Sequence, residues 1–82
     1  MQAVNVVEKF GQDEWLERSW TLPASVASRL RAHVDMTPEG WVMNVWPVTA
    51  AIAAIVQPYV DEKIEPKSGR WFIGSEQAPE KR

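Results

Sequence analysis

Apolar positions along the chain fall into short alternating runs and two runs at helical spacing. The first run, Ala3-Val4-Asn5-Val6-Val7-Glu8-Lys9-Phe10, is rich in β-branched residues and stops at Gly11. Gly11-Gln12-Asp13-Glu14 has the composition of a turn. Trp15 to Leu22 then alternates in part, up to Pro23. Two such runs around a short polar turn predict a β-hairpin. Pro23 ends the second strand because proline cannot donate to a ladder. From Ala24 to Val34, the residues Val26, Leu30 and Val34 recur every four positions with Ala27 beside them. That is the apolar stripe of an amphipathic helix, and Pro23 suits its entry.

Asp35 to Gly40 reads as a loop punctuated by Pro38 and Gly40. Trp41 to Trp46 reads as a third strand, stopped by Pro47. Thr49 is a good N-cap for a second helix running from Ala50 to Gln57 or Val60. Ile52, Ile55, Val56 and Tyr59 share one face of it, and Pro58 ends or kinks it. After a polar loop, Asp61 to Gly69, the segment Arg70-Trp71-Phe72-Ile73-Gly74 forms a last short strand. Two amphipathic helices need a sheet to cover. The order ββαβαβ therefore predicts an α+β two-layer sandwich, with about four largely antiparallel strands and two helices on one face. Residues 1–76 are expected to make a single domain, and 77–82 a polar tail.

Strand parity sorts the aromatic residues, because successive side chains alternate between faces. Leu16, Trp20 and Leu22 share the expected core face, which sends Trp15 outward with Glu17, Ser19 and Thr21. Trp41, Met43 and Val45 share a second core-directed set, which leaves Trp46 outward with Val42 and Asn44. Trp71 and Ile73 oppose Arg70 and Phe72. Trp15 and Trp46 are thus expected to be more accessible than Trp20 and Trp41. Aromatic side chains among polar neighbours on an open sheet face suit an interaction surface. A homodimer contact and structural burial are the other readings of the same feature.

Composition narrows the chemistry. The 82 residues contain five tryptophans, one histidine and no cysteine. A domain of this size has little surface to bury and no disulfide or metal to staple it. Part of the tryptophan content therefore fills the core. The net charge of −2 argues against nucleic acid, whose binders carry a basic face. The N-terminus lacks the basic and apolar stretches of a signal peptide, and no run reaches the roughly 20 apolar residues of a membrane span. A cytoplasmic protein, with no membrane or nucleic-acid partner, is the expectation.

Candidate chemistry is sparse. His33 is the lone imidazole, with no second ligand at a helical spacing, so no metal site and no cofactor are expected. Glycine-rich phosphate loops, nucleophile elbows and zinc spacings are missing from the sequence. Asp13, Glu14 and Glu17 cluster at the hairpin, and Asp61, Glu62 and Glu65 cluster in the last loop. Neither cluster sits in a catalytic motif, and both lie beside turns. No catalytic residue is assigned, and the chain is not expected to be an enzyme. The expected partner-binding set is Asp13, Glu14, Trp15, Glu17, Trp46, Asp61, Glu62 and Glu65, with aromatic anchors inside an acidic rim that suits a basic partner.

Three stretches carry a family resemblance: Val4-x-Val6-x-Glu8-x-Phe10, Trp15 to Pro23 with its Trp-x-x-x-x-Trp-x-Leu-Pro pattern, and Trp46-Pro47-Val48-Thr49 leading to Gln57-Pro58-Tyr59-Val60. Spanning residues 4 to 73, this layout resembles the small immunity proteins of bacterial contact-dependent growth inhibition and other polymorphic toxin systems. The resemblance implies a cytoplasmic antidote that binds a cognate toxin domain, often a nuclease, and blocks its active site or substrate path. The alternative on the same residues is an unrelated small adaptor or a homodimeric accessory domain.

Overall fold

The β-branched opening run does what its composition favours. In a computed structural model that describes residues 3–77, Ala3–Phe10 forms β1, the long inner strand of the sheet. It pairs antiparallel with β2 (Leu16–Thr21) on one side and β4 (Trp71–Gln77) on the other. A two-residue β3, Trp46–Pro47, adds to the far side of β4, giving the order β2-β1-β4-β3 with every pairing antiparallel. The α+β two-layer fold is as the sequence predicts.

The helices supply the second layer. A 3-10 turn at Ala24–Val26 leads into α1 (Ala27–Leu30), and α2 (Ala50–Val56) continues into a 3-10 turn at Gln57–Tyr59. Thr49 caps α2 as expected, its Oγ1 accepting from the Ile52 N–H at 3.3 Å. Val26, Leu30, Ile52 and Val56 pack with Val7, Trp71 and Ile73 in one apolar cluster. Both helices therefore cover the Val7 face of the sheet. A final 3-10 turn, Pro66–Ser68, ends at Gly69, whose φ of 73° is a left-handed conformation that glycine adopts cheaply.

The first helix is shorter than its apolar stripe. Val26, Leu30 and Val34 are all buried, but the regular α-helical turns stop at Leu30. No side chain caps its start, and the residues after Leu30 turn away toward a small irregular hairpin. In that hairpin Met36 bridges Val42, the Met43 N–H donates to the Asp35 carbonyl and the Thr37 N–H donates to the Trp41 carbonyl.

That hairpin also splits the expected third strand. Residues 41–43 pair back with 35–37, and only Trp46–Pro47 joins the main sheet. Between them Asn44 takes φ 65°, a left-handed conformation that asparagine tolerates better than most residues. The inward set is then the reverse of the parity expectation. Val42 is buried, Met43 and Val45 are exposed, and Trp46 pairs with Ile73 and packs against the core. Trp46 is half-buried like Trp20 and Trp41, so the expectation that it faces outward is overturned.

Leu16 is a second correction. The register runs evenly from Val6↔Thr21 to Lys9↔Arg18, then shifts to Phe10↔Leu16. Glu17 is the extra residue of a β-bulge, which changes the parity of everything before it. Leu16 thereby joins Phe10 on the face opposite the helices and is 49% exposed. At the other end, Gln77 pairs with Ala3, so the last strand extends one residue past the expected domain end. The rest of the expected tail, 78–82, lies outside the described residues.

Asn5 fastens the irregular segment to the sheet. It is buried, its Nδ2 donates to the Gly40 carbonyl and its Oδ1 accepts from the Val42 N–H, both at 2.9 Å. Gly40 sits there at φ 96°, where a side chain would be strained. Truncating Asn5 leaves a buried acceptor and a buried donor without partners. Asn5→Ala is expected to cost about 2–3 kcal/mol, measured by urea unfolding. A loss of only a few tenths would show that water replaces the side chain there.

Candidate functional site

The hairpin turn sets the site's most exposed feature. The Gly11 N–H donates to the Trp15 carbonyl at 2.9 Å, and the Glu14 N–H donates to the Gly11 carbonyl at 3.0 Å. Glu14 takes φ 66°, so the loop is a type I turn followed by a left-handed bulge residue. Glycine usually fills that position, and a glutamate there is strained. The Trp15 N–H also donates to Asp13 Oδ1 at 3.2 Å, which fixes the chain at the base of the indole. Trp15 is 75% exposed, the highest value among the large apolar residues.

Beside this turn lies a shallow groove of about 510 Å³, lined by Phe10, Gln12, Glu14, Arg70 and Phe72 together with two glycines. Phe10 and Phe72 meet edge to face, with centroids 5.7 Å apart and planes at 84°. The groove thus sets one carboxylate and one guanidinium around an aromatic pair, at one end of the sheet face opposite the helices.

The carboxylates of the hairpin and of the last loop do meet, but around cations of this same chain. Lys9 Nζ pairs with Glu17 at 3.1 Å and also with Glu62. Arg18 reaches Asp61 at 2.9 Å and Glu62 at 3.5 Å. Asp61 Oδ1 accepts from the Trp20 indole N–H at 2.8 Å. Beneath these contacts Trp20 stacks on Trp71, with centroids 5.4 Å apart and planes at 19°. Arg18 lies 4.5 Å from the Trp20 ring centroid, and Lys9 lies 5.7 Å from that of Trp71. The result is a stack of two indoles with a cation on each. Asp61 and Glu62 clamp it from the loop.

The loop is held in place by Gln57. Its Nε2 donates to the carbonyls of Val60 and Glu62, and its Oε1 accepts from the Ile64 N–H at 2.9 Å. Glu65 lines a small recess with Glu62, Lys9 and Trp71 but forms no ion pair among the described residues. Trp46 stands on β3, at the opposite edge of the sheet from β2, and its indole N–H is used by the Met43 carbonyl at 2.6 Å.

Of the eight residues expected to bind a partner, then, Asp13, Glu14 and Trp15 form one exposed group. Glu17, Asp61 and Glu62 form an internal clamp, Glu65 stands beside that clamp without an ion pair among the described residues, and Trp46 is remote from both groups. The sequence reading missed Phe10, Leu16 and Arg70 as surface residues. The alternation Val6-x-Glu8-x-Phe10 already places Phe10 opposite Val7. Leu16 needed the bulge, which no residue type announces.

No family model, no curated protein and no solved structure matches this chain. Among the described residues, no helix is long and apolar enough to cross a membrane.

The clamp has a pH signature. The Trp20 indole N–H, and then Arg18, hold the Asp61 carboxyl below its ordinary range against the opposing effect of burial. Hydrogen bonds to Glu62 and Glu17 hold the Lys9 ammonium above its ordinary range. A depressed folded-state pKa adds stability above the unfolded carboxylate pKa, and that stability is lost as pH falls through the folded value. A raised lysine pKa adds stability below the unfolded lysine pKa, and that stability is lost as pH rises through the folded value. Asp61→Asn should therefore destabilise at neutral pH and converge on the parent in acid, below the carboxylate range. Urea midpoints measured across the acid range check this; a constant gap at every pH would contradict it.

Proposed function

We propose that this chain is a non-catalytic protein-binding module, and in particular an immunity protein that holds a cognate bacterial toxin domain in the cytoplasm. The toxin is a nuclease-type domain, and the chain neutralises it by covering its active site or its substrate path. The observation that carries the reading is Trp15, three-quarters exposed at the tip of a rigid turn beside an aromatic groove. An indole pre-positioned in this way loses little freedom on binding and offers a large contact area. Asp13 and Glu14 flank it, and no ion pair within the described residues engages them. These two carboxylates suit a basic partner such as a domain that handles nucleic acid.

The two kinds of residue have different kinetic roles. A buried aromatic anchor governs how long a complex lasts, and rim charges govern how fast it forms. Glu17, Asp61 and Glu62 have no part in the rim, because their charges are satisfied internally.

The test uses the toxin domain encoded beside this gene, with surface plasmon resonance at two ionic strengths. Trp15→Ala is expected to speed dissociation by about 30-fold, the kinetic equivalent of a hot spot of roughly 2 kcal/mol. Asp13→Lys combined with Glu14→Lys is expected to slow association and flatten its salt dependence. A neighbouring toxin domain that the chain neither binds nor neutralises would contradict the proposal.

A further inference from the structure

The sheet ends in two edges of different quality. β3, at one edge, is two residues long and closes on Pro47, which has no N–H to offer. β2, at the other, is exposed at every residue except the half-buried Trp20. Hydrogen bonds fix which of its backbone groups are used. The Leu22 N–H donates to the Asn5 carbonyl at 2.8 Å, and the Phe10 N–H donates to the Arg70 carbonyl at 2.9 Å. Odd residues of β1 therefore bond toward β2, and even ones toward β4. Antiparallel pairs alternate between hydrogen-bonded and non-hydrogen-bonded. With Val7 opposite Trp20 and Lys9 opposite Arg18, it is Arg18, Trp20 and Leu22 that turn their N–H and C=O toward β1. Ser19 and Thr21, opposite Glu8 and Val6, turn theirs to the free edge. No other backbone segment of the described residues bonds to them.

Sheets usually blunt such an edge with a charge, a bulge or a proline. Here the bulge at Glu17 and Pro23 lie at the two ends and leave the stretch 18–22 regular between them. The one charge on that stretch does not guard it. Asp61 and Glu62 hold the Arg18 guanidinium, which lies over the ring of Trp20.

The midpoint of the regular stretch is Trp20, and that symmetry selects the occupant. Two copies related by a two-fold axis at Trp20 run antiparallel, with Ser19 opposite the copy's Thr21 and Thr21 opposite the copy's Ser19. Both are hydrogen-bonded pairs, so every outward N–H and C=O of Ser19 and Thr21 finds a partner. Arg18 then faces the copy's Leu22 and Glu17 faces the copy's Pro23, so no like charges stand directly opposite. An axis at Ser19 would draw on the irregular Glu17. An axis at Arg18 would set the two guanidinium groups against each other.

We infer that the outer edge of β2 pairs with the same edge of a second copy of this chain, joining two sheets into one through Ser19 and Thr21. The paired stretch stops short of the turn that carries Trp15. The inference therefore goes beyond the reading of that turn as a binding tip and does not depend on it.

The test is sedimentation velocity on the full chain at concentrations up to about 1 mM, the weak end of specific association. Amide hydrogen exchange is followed by NMR in dilute and concentrated samples. A reversible dimer is expected. In the concentrated sample the Ser19 and Thr21 amides should exchange about tenfold or more slowly, while Trp20 is protected in both. Ser19→Pro removes an outward N–H and no bond to β1, so it should weaken the dimer about tenfold or more with near-ultraviolet circular dichroism unchanged. Leu16→Gln combined with Val45→Gln removes two exposed apolar side chains outside the paired stretch and should leave the dimer intact. A monomer at about 1 mM overturns the inference and leaves the edge to a strand of another protein. So does a dimer in which Ser19 and Thr21 exchange as fast as in dilute solution, one that a folded Ser19→Pro variant does not weaken, or one that the Leu16 and Val45 substitutions dissolve. Should Ser19→Pro not fold, exchange in the parent decides. No toxin takes part, so these outcomes are separate from whether a neighbouring toxin domain is neutralised.

Discussion

The stack of Trp20 on Trp71 is the contact on which the rest of the molecule depends. Trp71 is 3% exposed and sits at the start of β4, over Lys9 of β1. Trp20 comes from β2, so the indole pair spans three neighbouring strands of the sheet. The last loop then closes on it. Asp61 takes the indole N–H of Trp20 together with the guanidinium of Arg18, and Glu62 takes Lys9. Isolated surface ion pairs contribute little. Here several charges share partners around an aromatic pair, and the geometry of each limits the others. A chain without disulfides gains from such a contact a fixed orientation of loop on sheet.

This arrangement divides the carboxylates into two kinds. Glu17 of the bulge and Asp61 and Glu62 of the last loop face inward, toward cations of the same chain. Asp13 and Glu14 at the turn, and Glu8 and Glu76 on the face opposite the helices, have no such partners among the described residues. Asp13 and Glu14 therefore present their charge outward at the hairpin tip, beside Trp15 and the groove that holds Phe10 and Phe72. Acidic and aromatic side chains side by side at this turn are the feature on which the proposal of a basic protein partner rests.

Much of the architecture was legible because it rests on periodicity. The alternation of β1, the stripe Val26, Leu30, Val34, and the Thr49 cap all appear where local sequence and packing agree. What escaped was decided by single backbone events. One extra residue at Glu17 turned Leu16 outward, and a left-handed Asn44 reversed the inward set between Val42 and Trp46. Asn5 joined the core because Gly40 and Val42 approach it from a distant loop, a partnership no local pattern contains. The candidate site followed the same rule. Trp15 was readable from strand parity, whereas the fate of Glu17, Asp61 and Glu62 depended on a meeting between segments more than forty residues apart.

A double-mutant cycle between Trp20 and Asp61 tests the central claim most directly. Trp20→Phe keeps a ring in the stack and removes the indole N–H, and Asp61→Ala removes its acceptor. Stability at neutral pH is measured for the parent, each single variant and the pair. If Asp61 acts inward through the indole, the double variant loses less than the sum of the single losses. Strictly additive losses would mean that Asp61 does not act through the stack, and the division of carboxylates into an internal clamp and an outward group would fail.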